Sequence, residues 1–145
     1  MKICVVVANY YPKISKDLII GTSMMLKKNG MKSFKKIFVP GVFEIPVIIA
    51  RNIKDYDAFI ALGCVIKGKT PHFAFISKAT TNAIMQLSFT YKKPIGNGII
   101  TCLTKKQALN RSNLRKKNKG GEAAKAILSV LGILKNDSKW SPSKS

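Results

Sequence analysis

DAFIALGCVIKGKTPHF, residues 57–73, is the stretch that decides the fold of this chain. Its first ten residues, 57–66, are almost all apolar or small, as in a β-strand that is buried on both faces of a parallel sheet. Thr70 then suits the N-cap of a helix and Pro71 its first position, and apolar residues continue at helical spacing as far as Leu87. A buried strand followed at once by a helix predicts an α/β protein.

The same alternation recurs along the chain. Further strands are predicted at residues 3–8, 36–39 and 98–103, and a helix is expected after each strand. Gly30 would end the first helix, and Thr104 with Gln107 forms a capping box for a later one. A last helix is predicted over residues 121–134, with Ala123, Ile127, Val130 and Leu134 facing inward. Strands that alternate with helices predict a four-stranded parallel sheet with helices on both faces.

Length and composition predict one cytoplasmic domain. The 145 residues give a domain over residues 1–135 and a loose polar tail over residues 136–145. No apolar run approaches the roughly 18 residues that span a bilayer, and the apolar run after Lys2 is too short for a secretory signal. Cys4, Cys64 and Cys102 stand in apolar segments without metal-like spacing, which is typical of buried thiols in a reducing compartment.

The charge is strongly positive. Basic residues number 26 and acidic residues six, which gives a formal net charge of +20. Such a field favours anionic partners such as phosphorylated metabolites, nucleic acid or acidic membranes. Lysines spread over a solvated surface would give the same composition, and the sequence leaves both interpretations open. The shortage of carboxylates leaves few candidates for mechanisms that need two of them.

Residues Gly63–Thr70 match the P-loop pattern G-x-x-x-x-G-K-[ST]. Three of the four variable residues, at 64–66, are apolar and read as the strand continuing. The chain also offers no acid at the end of an apolar strand to help hold magnesium. A phosphate site at the start of the next helix does not depend on the P-loop, because a helix N-terminus offers free N–H groups. His72, the only histidine, falls in the first turn of that helix, where an imidazole could transfer protons.

Four stretches together resemble the lumazine synthase family: VPGVFEIP at 39–46, GCVIKGKTPHF at 63–73, NGIITCLTKKQALNR at 97–111 and NKGGEAA at 118–124. The resemblance covers nearly the whole chain in order and spacing. It implies a flavodoxin-like three-layer sandwich assembled into pentamers, with each active site between two neighbouring subunits. The implied reaction joins 5-amino-6-(ribitylamino)uracil to 3,4-dihydroxy-2-butanone 4-phosphate, forming 6,7-dimethyl-8-ribityllumazine and releasing phosphate and water. No metal or cofactor is implied.

The resemblance also implies the roles of individual residues. His72 would be the catalytic proton-transfer residue. The pyrimidine and its ribityl chain would meet, in one subunit, residues from the ends of three strands: Tyr10, Gly41, Val42, Phe43, Glu44, Val65 and Ile66. The phosphate would lie at the turn Gly68, Lys69 and Thr70. The neighbouring subunit would add Asn97 to the pyrimidine site, and Arg111 and Lys119 to the phosphate site.

This sequence departs from the family pattern at four positions. Asn97 stands where an aromatic residue is common, Ala74 where an acid follows His-Phe, Lys67 where Arg is usual, and Val42 where a smaller residue is usual. We expect these changes to alter affinity more than reaction type. A non-catalytic basic protein that binds a flavin-like ligand or nucleic acid, and a P-loop nucleotide hydrolase, stay as alternatives. We expect a free pentamer rather than a decamer or a 60-subunit capsid, and neither a membrane nor a nucleic-acid partner.

Overall fold

A computed structural model describes residues 1–135 of the chain. Its four strands form one parallel sheet in the order β2-β1-β3-β4. The strands are β1 (Ile3–Ala8), β2 (Lys35–Val39), β3 (Ala58–Ile66) and β4 (Ile95–Cys102). The predicted four-stranded parallel sheet is confirmed. The polar tail predicted at residues 136–145 lies outside the described residues.

Helices cover both faces of the sheet. They are α1 (Pro12–Lys28), α2 (Ile45–Arg51), α3 (His72–Tyr91), α4 (Lys105–Ser112) and α5 (Lys119–Val130), with a 3-10 helix at Val42–Glu44 before α2. Apolar residues of α1, α4 and α5 pack on one face of the sheet, and those of α2 and α3 pack on the other. This arrangement is the predicted three-layer α/β sandwich. Within residues 1–135, no helix combines the length and the apolar character needed to cross a membrane.

The central strands are apolar throughout because both of their faces are buried. Along β1, Val5 and Val7 pack beneath α1 and α5, whereas Cys4 and Val6 pack beneath α2. Alternating side chains of a strand point to opposite faces, so a strand with a helix layer on each side must be apolar at every position. All of β1 is buried. The continuous apolar runs are therefore the sequence signal of the central strands.

Side chains occupy parts of both edges of the sheet. Lys35 and Lys36 are exposed on the edge strand β2. On β4, the Asn97 side chain accepts a hydrogen bond of 3.1 Å from the N–H of Ile99, and Arg111 donates one of 2.7 Å to the carbonyl of Thr101. Backbone groups on a sheet edge otherwise offer a template for pairing with another strand. Side chains therefore hinder the pairing of another strand with either edge of the sheet.

Strand β4 begins at Ile95, three residues before the predicted start at residue 98. Gly96 and Gly98, near its beginning, allow close packing. A Cβ on Gly96 would collide with the carbonyl oxygen of Ala123 in α5, and one on Gly98 would lie 2.5 Å from a methyl group of Leu62. Glycine in a strand interior often marks such a close approach. Helix α5 can therefore lie directly on β4.

Two helix predictions need correction. Helix α3 begins at His72 with Pro71 as its N-cap, and Thr70 instead accepts a weak hydrogen bond of 3.4 Å from the N–H of His72. Helix α5 ends at Val130, whose side chain is 71% exposed rather than buried. Ile127 already lies beside Gly96, near the amino-terminal end of β4, so Val130, three residues further along α5, lies beyond that end of the strand. The predicted inward position of Val130 is therefore wrong.

Candidate active site

The carboxyl ends of the strands surround a cavity of about 720 Å³. Ligands of open parallel sheets bind at this end, where the connections that follow neighbouring strands diverge. Three connections and the first turns of α3 build the walls. The lining residues are Tyr10, Tyr11, Pro40, Gly41, Val42, Phe43, Glu44, Cys64, Val65, Ile66, His72 and Ile76.

The cavity brings together eight residues that the sequence assigned to a site. They are His72 and the predicted pyrimidine and ribityl contacts at residues 10, 41–44, 65 and 66. Four lining residues were missed. Tyr11, Pro40 and Cys64 stand next to predicted residues, and Ile76 lies one turn after His72 on the same side of α3, so adjacency and helical spacing could have found them.

Two tyrosines form one wall of the cavity. The Tyr10 ring is 71% exposed, and its centroid lies 4.9 Å from that of Tyr11 in an edge-on arrangement. Burial raises the pKa of Tyr11, and interactions with Cys64 and Tyr10 raise it further. Tyr11 therefore keeps its phenol proton at neutral pH, while Tyr10 presents a free aromatic face to a flat ligand.

A closed turn forms the second wall. The Glu44 carboxylate accepts a hydrogen bond of 3.0 Å from the N–H of Gly41, and the N–H of Glu44 donates one of 3.2 Å to the carbonyl of Gly41. Val42 in this turn is only 6% exposed. Its side chain occupies the space beside Gly63, where an added Cβ would lie 2.7 Å from Val42 Cγ1. The greater bulk of Val42 is therefore accommodated largely in the core.

The connection from β3 to α3 lies open beside the cavity. Gly68, Lys69 and Thr70 are exposed, and a Cβ on Gly68 would meet no heavy atom within 4 Å. At its start, the N–H of Lys67 donates a hydrogen bond of 2.9 Å to the carbonyl of Cys102, which holds the connection against β4. The charge of Lys69 and the positive end of the α3 dipole together suit an anion.

The remaining three predicted residues do not line this cavity. Asn97 and Arg111 lie along the outer edge of β4, where Arg111 also approaches Cys102 Sγ at 3.6 Å. Lys119 stands at the start of α5 and forms an ion pair of 3.0 Å with Glu122. One chain therefore gathers His72 and the pyrimidine and ribityl contacts that were predicted for one subunit. The contacts predicted for the neighbouring subunit lie elsewhere on the same chain.

The described residues argue against three kinds of site. Cys64, Val65 and Ile66 belong to β3 and pair with β4, so they cannot form the loop of a P-loop nucleotide site. The three cysteines are free and buried, and burial raises the pKa of Cys64 to about 12 and that of Cys4 to about 11. A thiol with so high a pKa is a poor nucleophile at neutral pH. Over residues 1–135, no cluster of three or more His, Cys, Asp or Glu side chains could hold a metal ion.

Comparisons with known proteins identify the family. The family model for 6,7-dimethyl-8-ribityllumazine synthase matches residues 1–135. A 6,7-dimethyl-8-ribityllumazine synthase from Bartonella bacilliformis is 42% identical over 135 residues, which cover 90% of this chain and 88% of that protein. The enzyme of the same name from Nitrobacter hamburgensis is 42% identical over 136 residues, covering 89% of this chain and 83% of that protein.

A third relative is similar over a comparable length. The 6,7-dimethyl-8-ribityllumazine synthase of Buchnera aphidicola subsp. Acyrthosiphon pisum is 38% identical over 138 residues, covering 92% of this chain and 86% of that protein. The match to the family model extends over the strands, the cavity walls and the three residues that stand apart from the cavity. The chain therefore belongs to the 6,7-dimethyl-8-ribityllumazine synthase family.

Proposed function

We propose that this chain condenses 5-amino-6-(ribitylamino)uracil with 3,4-dihydroxy-2-butanone 4-phosphate to 6,7-dimethyl-8-ribityllumazine, releasing phosphate and water. Membership of the family supports this reaction. The observation that carries the proposal is the cavity itself, because it gathers an exposed aromatic ring, a closed polar turn and His72 at the carboxyl end of one sheet. The proposed substrates supply a flat ring, a polyhydroxyl chain and a phosphate, which are the groups that these walls suit.

The pyrimidine ring would stack on Tyr10 and contact Val65 and Ile66. Its ribityl chain would run over the turn at residues 41–44. Glu44 Oε1 is already engaged by Gly41, so the other carboxylate oxygen is the one placed to accept a ribityl hydroxyl. The first N–H groups of a helix lack intrahelical acceptors, so those of Val42 and Phe43 in the 3-10 helix can donate to the same chain.

The phosphate of the second substrate would lie at Gly68, Lys69 and Thr70. His72 begins α3 beside this connection and is exposed. It would move protons as the amine of the pyrimidine adds to the ketone, as water leaves to form the imine, and as phosphate leaves. Loss of phosphate leaves an enol that becomes a ketone by tautomerisation. The ribityl-bearing amine then adds to this ketone, and a second water leaves as the ring closes. Much of the acceleration would come from holding two substrates together.

We propose further that a second subunit completes each site. Asn97 and Arg111 lie on the outer edge of β4. They bind the N–H of Ile99 and the carbonyl of Thr101, so these two backbone groups cannot pair with the backbone of a neighbouring subunit. A neighbouring subunit would therefore meet this edge through side chains. Arg111 would bind the phosphate with its guanidinium, and Lys119 would add positive charge nearby.

The surface supports assembly. Val47 of α2 and Phe75, Met85 and Phe89 of α3 are between 56% and 80% exposed. They lie in the helix layer opposite α1, α4 and α5. Exposed apolar patches on a soluble protein commonly mark an interface. A second copy covering this layer would bury them, and we propose a closed pentamer as the assembly.

A condensation assay tests the activity. Purified protein is mixed with both substrates, and product absorbance is followed against a protein-free reaction. We expect a rate above that background which disappears when the phosphorylated ketone is omitted. A His72→Ala variant should reduce kcat without abolishing turnover, whereas a Lys106→Ala variant, changed at an exposed position of α4, should match the parent.

Absence of a rate above background from a folded assembly would overturn the proposed reaction. The alternatives then make different predictions. A flavin-binding protein would retain a yellow ligand through purification without turnover. A nucleic-acid-binding protein would show an affinity for RNA that falls steeply with salt concentration.

A further inference from the structure

A groove of about 540 Å³ lies between the second half of α1 and the connection from α4 to α5. Its floor is apolar. Met24 is 55% exposed, and Met25 and Leu114 are half-buried. Gly21 and Asn118 lie in close contact at this groove, because a Cβ on Gly21 would collide with the Asn118 side chain. The groove shares no lining residue with the active-site cavity.

The rim of this groove is positively charged. Lys27 lies on the α1 side, and the exposed Arg115, Lys116 and Lys117 directly follow Leu114 on the other side. The acidic residues of α1, α4 and α5 are Asp17 and Glu122. Both already form ion pairs, with Lys13 at 2.9 Å and with Lys119 at 3.0 Å. The rim therefore carries positive charge that neighbouring carboxylates of these helices do not offset.

We propose that this groove docks an acidic segment of another protein that carries apolar side chains at helical spacing. Methionine is unbranched and polarisable, so a Met-lined floor adapts to different apolar anchors. An amphipathic helix laid in an apolar groove is a common mode of peptide recognition, and a charged rim selects the charge of the partner. Here the basic rim selects acidic residues beside the apolar anchors.

Two other partners fit the groove less well. Proteins that bind single-stranded nucleic acid stack bases on aromatic side chains, and within residues 1–135 none of the residues lining the groove is aromatic. An anionic membrane presents a broad surface, whereas Met25 and Leu114 lie in a concavity that such a surface would not fill. A helix inserted lengthwise would reach both the floor and the rim.

Binding is measured with the full 145-residue protein and a fluorescein-labelled peptide of Glu and Leu, with the leucines on one helical face. One control peptide has the same composition with the leucines dispersed, and another carries Lys in place of Glu. A 20-nucleotide uridine RNA tests the nucleic-acid alternative. We expect fluorescence anisotropy to show the amphipathic acidic peptide binding about tenfold more tightly than either control peptide.

Matched variants locate the binding. Lys116→Glu with Lys117→Glu reverses two charges of the rim, and Lys105→Glu with Lys106→Glu makes the same change in net charge at exposed positions of α4. We expect the first pair to weaken peptide binding about tenfold and the second pair to change it less than twofold. Met24→Gln, at an exposed position, should also weaken it by removing an apolar contact while preserving the fold.

Each contrary result overturns the proposal. Equal weakening by the two charge-reversed pairs would mean that net charge alone attracts the peptide. Tighter binding of the RNA, reduced by reversal at 116 and 117, would assign the groove to nucleic acid. Failure of the peptide to saturate the protein below about 100 µM would mean that the groove binds no such segment. The condensation assay is independent of all these results, because no residue altered here belongs to the proposed active site.

Discussion

The Glu44 carboxylate accepts a hydrogen bond of 3.0 Å from the N–H of Gly41 and thereby closes the turn that forms one wall of the active-site cavity. One oxygen of Glu44 therefore closes this turn, while the other would be left to accept a hydroxyl group of the proposed substrate. A residue with both roles should affect binding in two separable ways.

Substitution of Glu44 separates these roles. Glu44→Ala opens the turn and removes the acceptor, so we expect KM for the ribityl substrate to rise about tenfold or more. Glu44→Gln keeps an oxygen that can accept from Gly41, and it should recover part of that loss. Steady-state kinetics with the phosphorylated ketone at saturation measures the effect. Equal KM values in the Gln and Ala variants would show that the bond to Gly41 has no part in binding.

Mixed assemblies test whether two subunits share each site. His72→Ala and Arg111→Ala subunits are each expected to form impaired sites. In a random equal mixture within a ring, roughly a quarter of the sites would combine an intact His72 from one subunit with an intact Arg111 from its neighbour. Co-assembled protein should therefore turn over faster than either parent variant. Activity equal to the mean of the two parents would place both residues in the same site of one chain.

Asn97 offers a gain-of-affinity experiment. Its side chain binds the N–H of Ile99 and contributes no aromatic surface. Asn97→Trp should add one stacking face to the pyrimidine site, worth about 1 kcal/mol, and so lower KM for the pyrimidine substrate about fivefold. Asn97→Ala controls for loss of the bond to Ile99. If Trp and Ala give the same KM, residue 97 does not reach the pyrimidine.

The sequence predicted a helix or strand well where the pattern that marks it involves residues adjacent in the chain. The run at residues 3–8 and the capping box of Thr104 identified their elements because those signals involve adjacent residues. The N–H of Gln107 does donate to Thr104 Oγ1, at 3.1 Å. The start of β4 was missed because glycine is permitted both in turns and where a helix lies close on a strand. Only the position of Ala123 in α5 distinguishes these cases.

Some residues of the candidate site could be predicted from the sequence, and others could not. Tyr10, Glu44 and His72 follow successive strands, and the carboxyl ends of parallel strands meet at one edge of a sheet. The position of Arg111 at the outer edge of β4 follows from its bond to Thr101, ten residues earlier, which no periodicity predicts. The role of Cys64 in the wall was missed because an apolar strand conceals which of its residues reach a cavity.

Cys64 should be inert although it lines the cavity. Burial raises the pKa of its thiol to about 12, so roughly one molecule in 10,000 carries the thiolate at pH 8. We expect native protein to resist iodoacetamide at Cys64 and urea-unfolded protein to react, as peptide mass spectrometry would show. The thiol ionises near pH 9 in the unfolded protein and near pH 12 in the folded protein. Between these values only the unfolded state gains by releasing the proton, so the free energy of unfolding should fall as the pH rises from about 9 to 12. Native labelling at the rate of free glutathione would contradict this assignment.

Thr80 tests the cost of an unpaired polar atom. It is 2% exposed in α3, and among the described residues its hydroxyl has no hydrogen-bond partner. Thr80→Val replaces the hydroxyl with a methyl group and should raise the free energy of unfolding by about 1 kcal/mol, or Tm by about 3 °C. Thr80→Ala removes the existing methyl group as well and should not stabilise the protein. A lower Tm for the Val variant than for the parent would show that the hydroxyl is satisfied in the assembled protein.

The contact between Val42 and Gly63 constrains how this chain can evolve. An alanine at position 63 would require a smaller side chain at position 42, because its methyl group would occupy the space that Val42 Cγ1 now fills. Val42 lies in the 3-10 helix after β2 and Gly63 lies within β3, yet residue 63 cannot gain a side chain while Val42 is kept. Descendants of this sequence should therefore inherit residues 42 and 63 as a pair, and a horizontal exchange of one segment alone would bring together residues that do not fit.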